Sequence, residues 1–305
     1  MPTLAQCLEL RYPGEGLSRD YRLELQRVCA AFLSSGLADS KFEAELTGQS
    51  DAKFWSCVSE ALVYDRIKDI ARPARAIVGE GPDFLLTDGH RRVWLEVVCP
   101  EPIGLPQDWL EIQANHVGTV PHDAILLRWT SAIKDKTDKL VGSVDGRVRG
   151  YLKTGLVTKD DVYVIAVNGS RLRHGPFAAL YGISQFPYAV EAAFPVGPLQ
   201  FRIDRDSLTS LGHGYQERLH IPKPSGANVP TYAFLDPRNQ AVSAIWAVDF
   251  NAGRVIGSQE PCALIHNPLA TQPLPKGFFR SDSEFFASPS GEDEFVLSRI
   301  TPNSE

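Results

Sequence analysis

Asp83 and Glu96 are the two residues of this chain whose types and spacing most directly suggest chemistry. Asp83 stands in Gly81-Pro82-Asp83-Phe84, and Glu96 in Val93-Trp94-Leu95-Glu96-Val97-Val98. Twelve residues separate them, with the turn signal Thr87-Asp88-Gly89-His90 between. That is the length of a hairpin able to bring both carboxylates to one end of a sheet. Two converging carboxylates suit a hard divalent cation such as Mg²⁺. Such an ion beside a phosphodiester polarises it and lowers the pKa of a bound water. The plainer reading of Asp83 is a turn residue after Gly-Pro. Glu96 has less room for one. Trp94, Glu96 and Val98 share one strand face, and a carboxylate among apolar neighbours is costly unless paired or metal-bound.

The elements around this pair are readable from periodicity. Asp51 caps a helix over residues 51–70, with Phe54, Val58 and Leu62 as its stripe, Trp55 and Ile67 flanking it, and Pro73 as its stop. Glu60 rides on that helix, either as a third acidic group of the site or as a partly exposed helical Glu. Strands are expected at Ala74–Val78, Asp83–Leu86 and Arg92–Val98. A Pro-rich loop then runs to about Pro121, with His116 and His122 as ordinary polar loop residues. Ala124–Trp129 reads as a strand or a helix start. Thr130 or Ser131 can cap a helix through the basic stretch that follows, and Gly142 and Gly146 weaken it. Asp161–Val167 is an unbroken apolar run, as in a strand covered on both faces.

The basic stretch holds Lys134, Lys136, Lys139, Arg147, Arg149 and Lys153 within twenty residues. It reads equally as a solvated helix face and as a local cationic cleft. The chain as a whole carries a net charge of -6, which argues against a broad nucleic-acid footprint.

Length and composition set the outer bounds. The chain has 305 residues, 43% hydrophobic and 22% charged, enough for one large domain or two ordinary ones. No apolar run approaches the roughly 20 residues of a membrane helix. The N-terminus lacks the pattern of a signal peptide. Cys7, Cys29, Cys57, Cys99 and Cys262 form no CxxC pair, as expected of reduced thiols in a cytoplasm. There is no HExxH, Walker A, GxSxG or Rossmann glycine pattern.

The expected organisation is an N-terminal helical segment (1–50), a core (51–175) and a β-rich C-terminal extension (176–305) packed on the core. In the extension, short apolar runs at Ala189–Phe194, Leu199–Ile203, Ala241–Phe250 and Ala263–His266 read as strands that either extend the first sheet or form an annex. Residues from about Ser281 onward are acidic and polar and read as peripheral. His266-Asn267-Pro268 either supplies a phosphate contact or shapes the site, or, on the plainer reading, is a strand end turning at Asn-Pro. The fold class is α/β, a mixed central sheet flanked by helices.

Residues 51–168 resemble the PD-(D/E)xK nuclease superfamily, the restriction-endonuclease-like fold. Pro82-Asp83 resembles its opening motif, Glu96-Val97-Val98 sits at its (D/E)xK element, Glu60 resembles the accessory acidic residue of the preceding helix, and Asp161–Val167 matches the closing strand. Val98 replaces the lysine. Some members of the superfamily take their basic group from the following helix, which makes Lys136 the first candidate, then Lys139 and Lys134. Lys136 and Lys139 are three apart and can share a face. The whole chain also resembles a bacterial family with no assigned activity, through Pro82-Asp83-Phe84, Trp94-Leu95-Glu96, Arg128-Trp129-Thr130-Ser131-Ala132 leading to Lys136, and His266-Asn267-Pro268.

The superfamily resemblance implies a Mg²⁺- or Mn²⁺-dependent endonuclease. Asp83, Glu96 and the Val97 carbonyl would be its metal ligands, and Lys136 and Glu60 would assist. Its substrate would be DNA, in restriction or another defence role, and a homodimer is one arrangement it suggests. The competing expectation is a catalytically inactive nuclease-like module that binds nucleic acid or a protein. A third is a metal-dependent hydrolase of a small phosphorylated substrate.

Overall fold

The computed structural model describes residues 3–70, 73–74, 81–111, 119–175, 180–291 and 294–301. Eight α-helices are present among them: α1 (Leu4–Arg11), α2 (Leu17–Ser34), α3 (Phe42–Leu46), α4 (Asp51–Ile67), α5 (Gln107–Leu110), α6 (His122–Val141), α7 (Tyr151–Thr154) and α8 (Tyr188–Ala193). Eleven strands accompany them: β1 (Phe84–Asp88), β2 (Arg91–Val98), β3 (Val162–Asn168), β4 (Val196–Ile203), β5 (Ser210–Glu217), β6 (His220–Pro222), β7 (Asn228–Pro230), β8 (Ala244–Val248), β9 (Cys262–His266), β10 (Ser283–Pro289) and β11 (Phe295–Ile300).

Seven strands form one mixed sheet in the order β1-β2-β3-β8-β9-β10-β11, and the fold is α/β. Its middle is parallel, with β2 beside β3 and β3 beside β8, while β1 and β9 run antiparallel to their neighbours β2 and β8. Every residue of β3, β8 and β9 is buried, because helices or loops cover both faces. Strand alternation divides β2 between two cores. Val93, Leu95 and Val97 pack toward α2 and α4, whereas Trp94 faces the core that contains α6 and α8.

Helix α4 lies against the first face through Phe54, Val58 and Leu62, all essentially inaccessible, each worth about 1.5–3 kcal/mol of burial. Ser50 caps it, its hydroxyl accepting from Lys53 N–H at 3.4 Å. The helix stops at Ile67, before Pro73 is reached. On the second face, α6 is the crossover between the parallel strands β2 and β3. It begins at His122, so Ala124–Trp129 is helical, and Thr130 and Ser131 lie inside the helix rather than capping it. The Thr130 hydroxyl donates back to Leu126 O at 3.1 Å and Leu127 O at 3.0 Å. Gly142, with φ +94°, ends α6.

Two further expectations change, and one falls mostly outside the described residues. Of the strand expected at Ala74–Val78, Ala74 forms an isolated bridge to Leu85, and 75–78 lie outside the described residues. Of Ala189–Phe194, residues 189–193 are helical and Phe194 is the extended C-cap: the short apolar run suits either state, and Pro187 starts α8 with all six helical residues buried. The segment after Ser281 is not peripheral, because β10 pairs with β9 and Ser283, Glu284 and Phe285 are buried. The C-terminal part therefore both extends the first sheet and adds two separate hairpins, β4-β5 and β6-β7. Among the described residues no helix is long and apolar enough to cross a membrane.

Candidate active site

The β1-β2 hairpin turns through Gly89-His90, with Asp88 opposite Arg91 and Gly89 at φ +58°. Its ladder reaches back to Phe84 opposite Leu95. Asp83 stands one residue before β1, where the edge of β2 is left open, and its Oδ2 accepts from Val97 N–H at 2.6 Å. A side chain thus takes up a backbone donor at the place where strand pairing ends.

Glu96 follows the Trp94 face of β2 and points toward α6. It is 1% exposed. Lys136 and Lys139, one turn apart on α6, both donate to Glu96 Oε1, at 2.6 and 2.9 Å. Lys134 does not join them; it pairs with Asp138 four residues on. The other oxygen, Glu96 Oε2, is buried without a hydrogen-bond partner among the described residues.

The electrostatics follow from this geometry. Burial alone would raise the Glu96 pKa, but Lys136 and then Lys139 overrule it and hold the carboxyl below its ordinary value. Burial would likewise lower the Lys136 pKa, but the Glu96 and Asp83 charges raise it, so the ammonium stays charged. Asp83 has the opposite fate: burial, then the neighbouring Glu96 charge, push it up to about 6. Glu60 reaches this group from α4 on the other face of the sheet. Burial, then the Asp83 charge, raise its pKa well above the ordinary value, while Lys136 opposes the rise. Tyr151, on α7, also belongs here, its phenol pKa raised by burial and by the Glu96 charge.

The structure therefore brings Asp83, Glu96, Lys136 and Lys139 together, sets Glu60 beside Asp83, and adds Tyr151. At Val97 it supplies an N–H. Tyr151 was missed from the sequence, where only its position after Gly150 at the end of the basic stretch set it apart.

Among the described residues no three His, Cys, Asp or Glu side chains are grouped as a ready cation cage. The Asp83–Glu96 pair nevertheless fits an ion that uses one or two carboxylates and keeps its waters, as Mg²⁺ does. The buried Glu96 Oε2, unpartnered among the described residues, is the observation that favours such a fit, since an orphan buried acceptor is costly.

No protein-family model, curated protein or solved structure matches the chain.

Two other buried polar groups are braces. His122, expected in a loop, opens α6 and pairs with Glu191 at 2.8 Å. Glu191 also accepts from Arg218 and Ser184, and the imidazole stacks on Tyr188 at 5.1 Å. His266 pairs with Glu284 across β9 and β10 at 2.8 Å, and Asn267 turns the chain by donating to Val242 O at 2.7 Å and accepting from Leu269 N–H at 2.9 Å. His116 lies outside the described residues.

Proposed function

We propose that this chain is a metal-dependent nuclease of PD-(D/E)xK type that hydrolyses phosphodiester bonds. The observation that carries the reading is the Lys136 ammonium, 2.6 Å from Glu96, doing from α6 what Val98 cannot do from β2. The order α4, β1, β2, α6, β3 supports it as well, since it follows the core expected from the resemblance. DNA as substrate, and a role in restriction or defence, rest on fold-level analogy.

Asp83 and Glu96 would hold one Mg²⁺ or Mn²⁺ ion. When bound, such an ion polarises the scissile phosphate and lowers the pKa of an attacking water. The protein's own groups have separate tasks. Lys136 keeps Glu96 ionised and presents positive charge where negative charge grows on the phosphate. Val97 N–H fixes the Asp83 carboxylate at the sheet edge. Glu60, with its raised pKa, offers Asp83 a neighbour that need not add a second charge.

One observation favours a second reading, an inactive module that binds nucleic acid. Two ammoniums already neutralise Glu96 without any metal ion. Calorimetric titration of Mn²⁺ into the protein, without nucleic acid, separates the two. The nuclease reading expects one site, lost in Asp83→Asn. The binding module expects no site in either protein.

A further inference from the structure

A cleft of about 580 Å³ opens beside the carboxylates, lined among others by Lys139, Val148, Arg149, Tyr151 and Thr154. Lys139 joins the cleft to the site: its ammonium touches Glu96, yet its side chain is 47% exposed. One wall is the loop 142–150, which is closed on itself. Ser143 N–H donates to Val148 O at 3.0 Å, Val148 N–H to Ser143 Oγ at 2.9 Å, and Gly146 N–H to Ser143 O at 3.1 Å. Gly150, at φ +80°, packs so tightly on Gly142 that a Cβ on it would stand 2.4 Å from Gly142 N. Arg238 grips the Gly142 carbonyl from outside at 3.1 Å. Arg149 therefore projects from a stiff frame. Arg147 pairs with Asp145 at 3.2 Å, whereas Arg149 and Lys153 have no ion-pair partner among the described residues.

We propose that this cleft binds a single-stranded stretch of the nucleic-acid substrate next to the scissile phosphate. Arg149 and Lys139 face a backbone phosphate, and the Tyr151 ring carries a base. The proposal rests on the nuclease reading and adds the substrate class. A duplex-binding footprint typically engages on the order of 6–10 phosphates, which needs a broad basic face. This chain is acidic overall, and only two cations, Lys139 and Arg149, line the cleft among the described residues. A short cationic groove with an aromatic platform is how single strands are held.

The test is fluorescence anisotropy of a labelled oligonucleotide of about 12 nucleotides, single-stranded or annealed, with the full chain in EDTA. The expected result is at least tenfold tighter binding of the single strand. Arg149→Glu should weaken it about tenfold and reduce the salt slope by about one. Tyr151→Ala should weaken it several-fold, and Tyr151→Phe should restore it. Should Tyr151→Ala unfold, Arg149→Glu on the exposed loop carries the test alone. Equal or tighter duplex binding, or indifference to Arg149, overturns the proposal. Arg149-dependent single-strand binding without any metal-dependent cutting keeps the cleft and overturns the nuclease. Cutting that needs Asp83 and Glu96 but ignores Arg149 keeps the nuclease and overturns the cleft.

Discussion

Lys136 of α6 and Glu96 of β2, forty residues apart in the chain, meet at 2.6 Å. The amine thus arrives from a helix on the face that Trp94, Glu96 and Val98 share. Val98 is half-buried on that face, packed against the α6-side core. Lys136→Met should slow single-turnover cleavage by about 10²-fold, the scale of losing one charge-stabilising donor. Adding Val98→Lys to that variant should recover part of the loss, because it returns an ammonium to the same face. A Lys136→Met rate within threefold of wild type would remove Lys136 from the mechanism.

Asp83 sets the pH dependence. Its folded pKa is raised to about 6, so between about pH 4 and 6 the folded protein holds this proton more tightly than the unfolded chain does. In metal-free protein the stability associated with Asp83 therefore falls as pH rises through that window. Asp83→Asn should raise metal-free stability at pH 7.5 by on the order of 1 kcal/mol, roughly 2 °C in melting temperature, and should leave it unchanged at pH 4. Cation binding requires the ionised form, so Mg²⁺ should raise the wild-type melting temperature above about pH 6 and not at pH 5. Thermal melts at these pH values check both signs. An equal Mg²⁺ shift at pH 5 and 7.5 would contradict the assignment of Asp83 as a ligand.

Glu60 distinguishes a neighbour from a ligand. Burial and the Asp83 charge favour its protonated form, and Gln is close to an isostere of that form. Glu60→Gln should keep Mg²⁺-dependent cleavage within about threefold of wild type. A loss as complete as that of Asp83→Asn would show that Glu60 acts as an ionised ligand.

Glu191 should matter for stability. It is fully buried and accepts from Arg218, His122 and Ser184. Burial opposes its ionised form, but the His122 and Ser184 hydrogen bonds and the Arg218 charge lower its pKa overall. A lowered carboxylate pKa contributes stability above the ordinary value, and that stability is lost as pH falls through the folded value. Glu191→Gln should cost about 3 kcal/mol in urea unfolding at pH 7, because Arg218 is left buried with less compensation. The gap should narrow as pH drops below about 4. A gap that widens in acid would reverse the sign assigned here.

The parts of this molecule with strong local patterns were readable before the fold. The Phe54-Val58-Leu62 stripe lies on α4, and the unbroken run 161–167 is β3 within a residue at either end. The hairpin spacing also brought Asp83 and Glu96 toward one end of the sheet, and the helical spacing of Lys136 and Lys139 allowed both on one face. Other parts lacked a decisive local signal. Ala189–Phe194 is too short and too apolar for periodicity to separate strand from helix. β11 is an edge strand with mostly exposed side chains, so its composition resembles a tail. Tyr151 reaches Glu96 through the turn at Gly150 and the packing of α7 on α6, neither of which leaves a mark on residue spacing.

The central claim is that Asp83, Glu96 and Lys136 form one hydrolytic site. Cleavage of double-stranded DNA, single-stranded DNA and RNA in Mg²⁺ or Mn²⁺ tests it most directly, with wild type beside Asp83→Asn, Glu96→Gln and Lys136→Met. The expected result is metal-dependent cutting by wild type that both carboxylate variants abolish and Lys136→Met slows by about 10²-fold. No cutting by folded wild-type protein on any substrate, or cutting that survives both carboxylate changes, would contradict it.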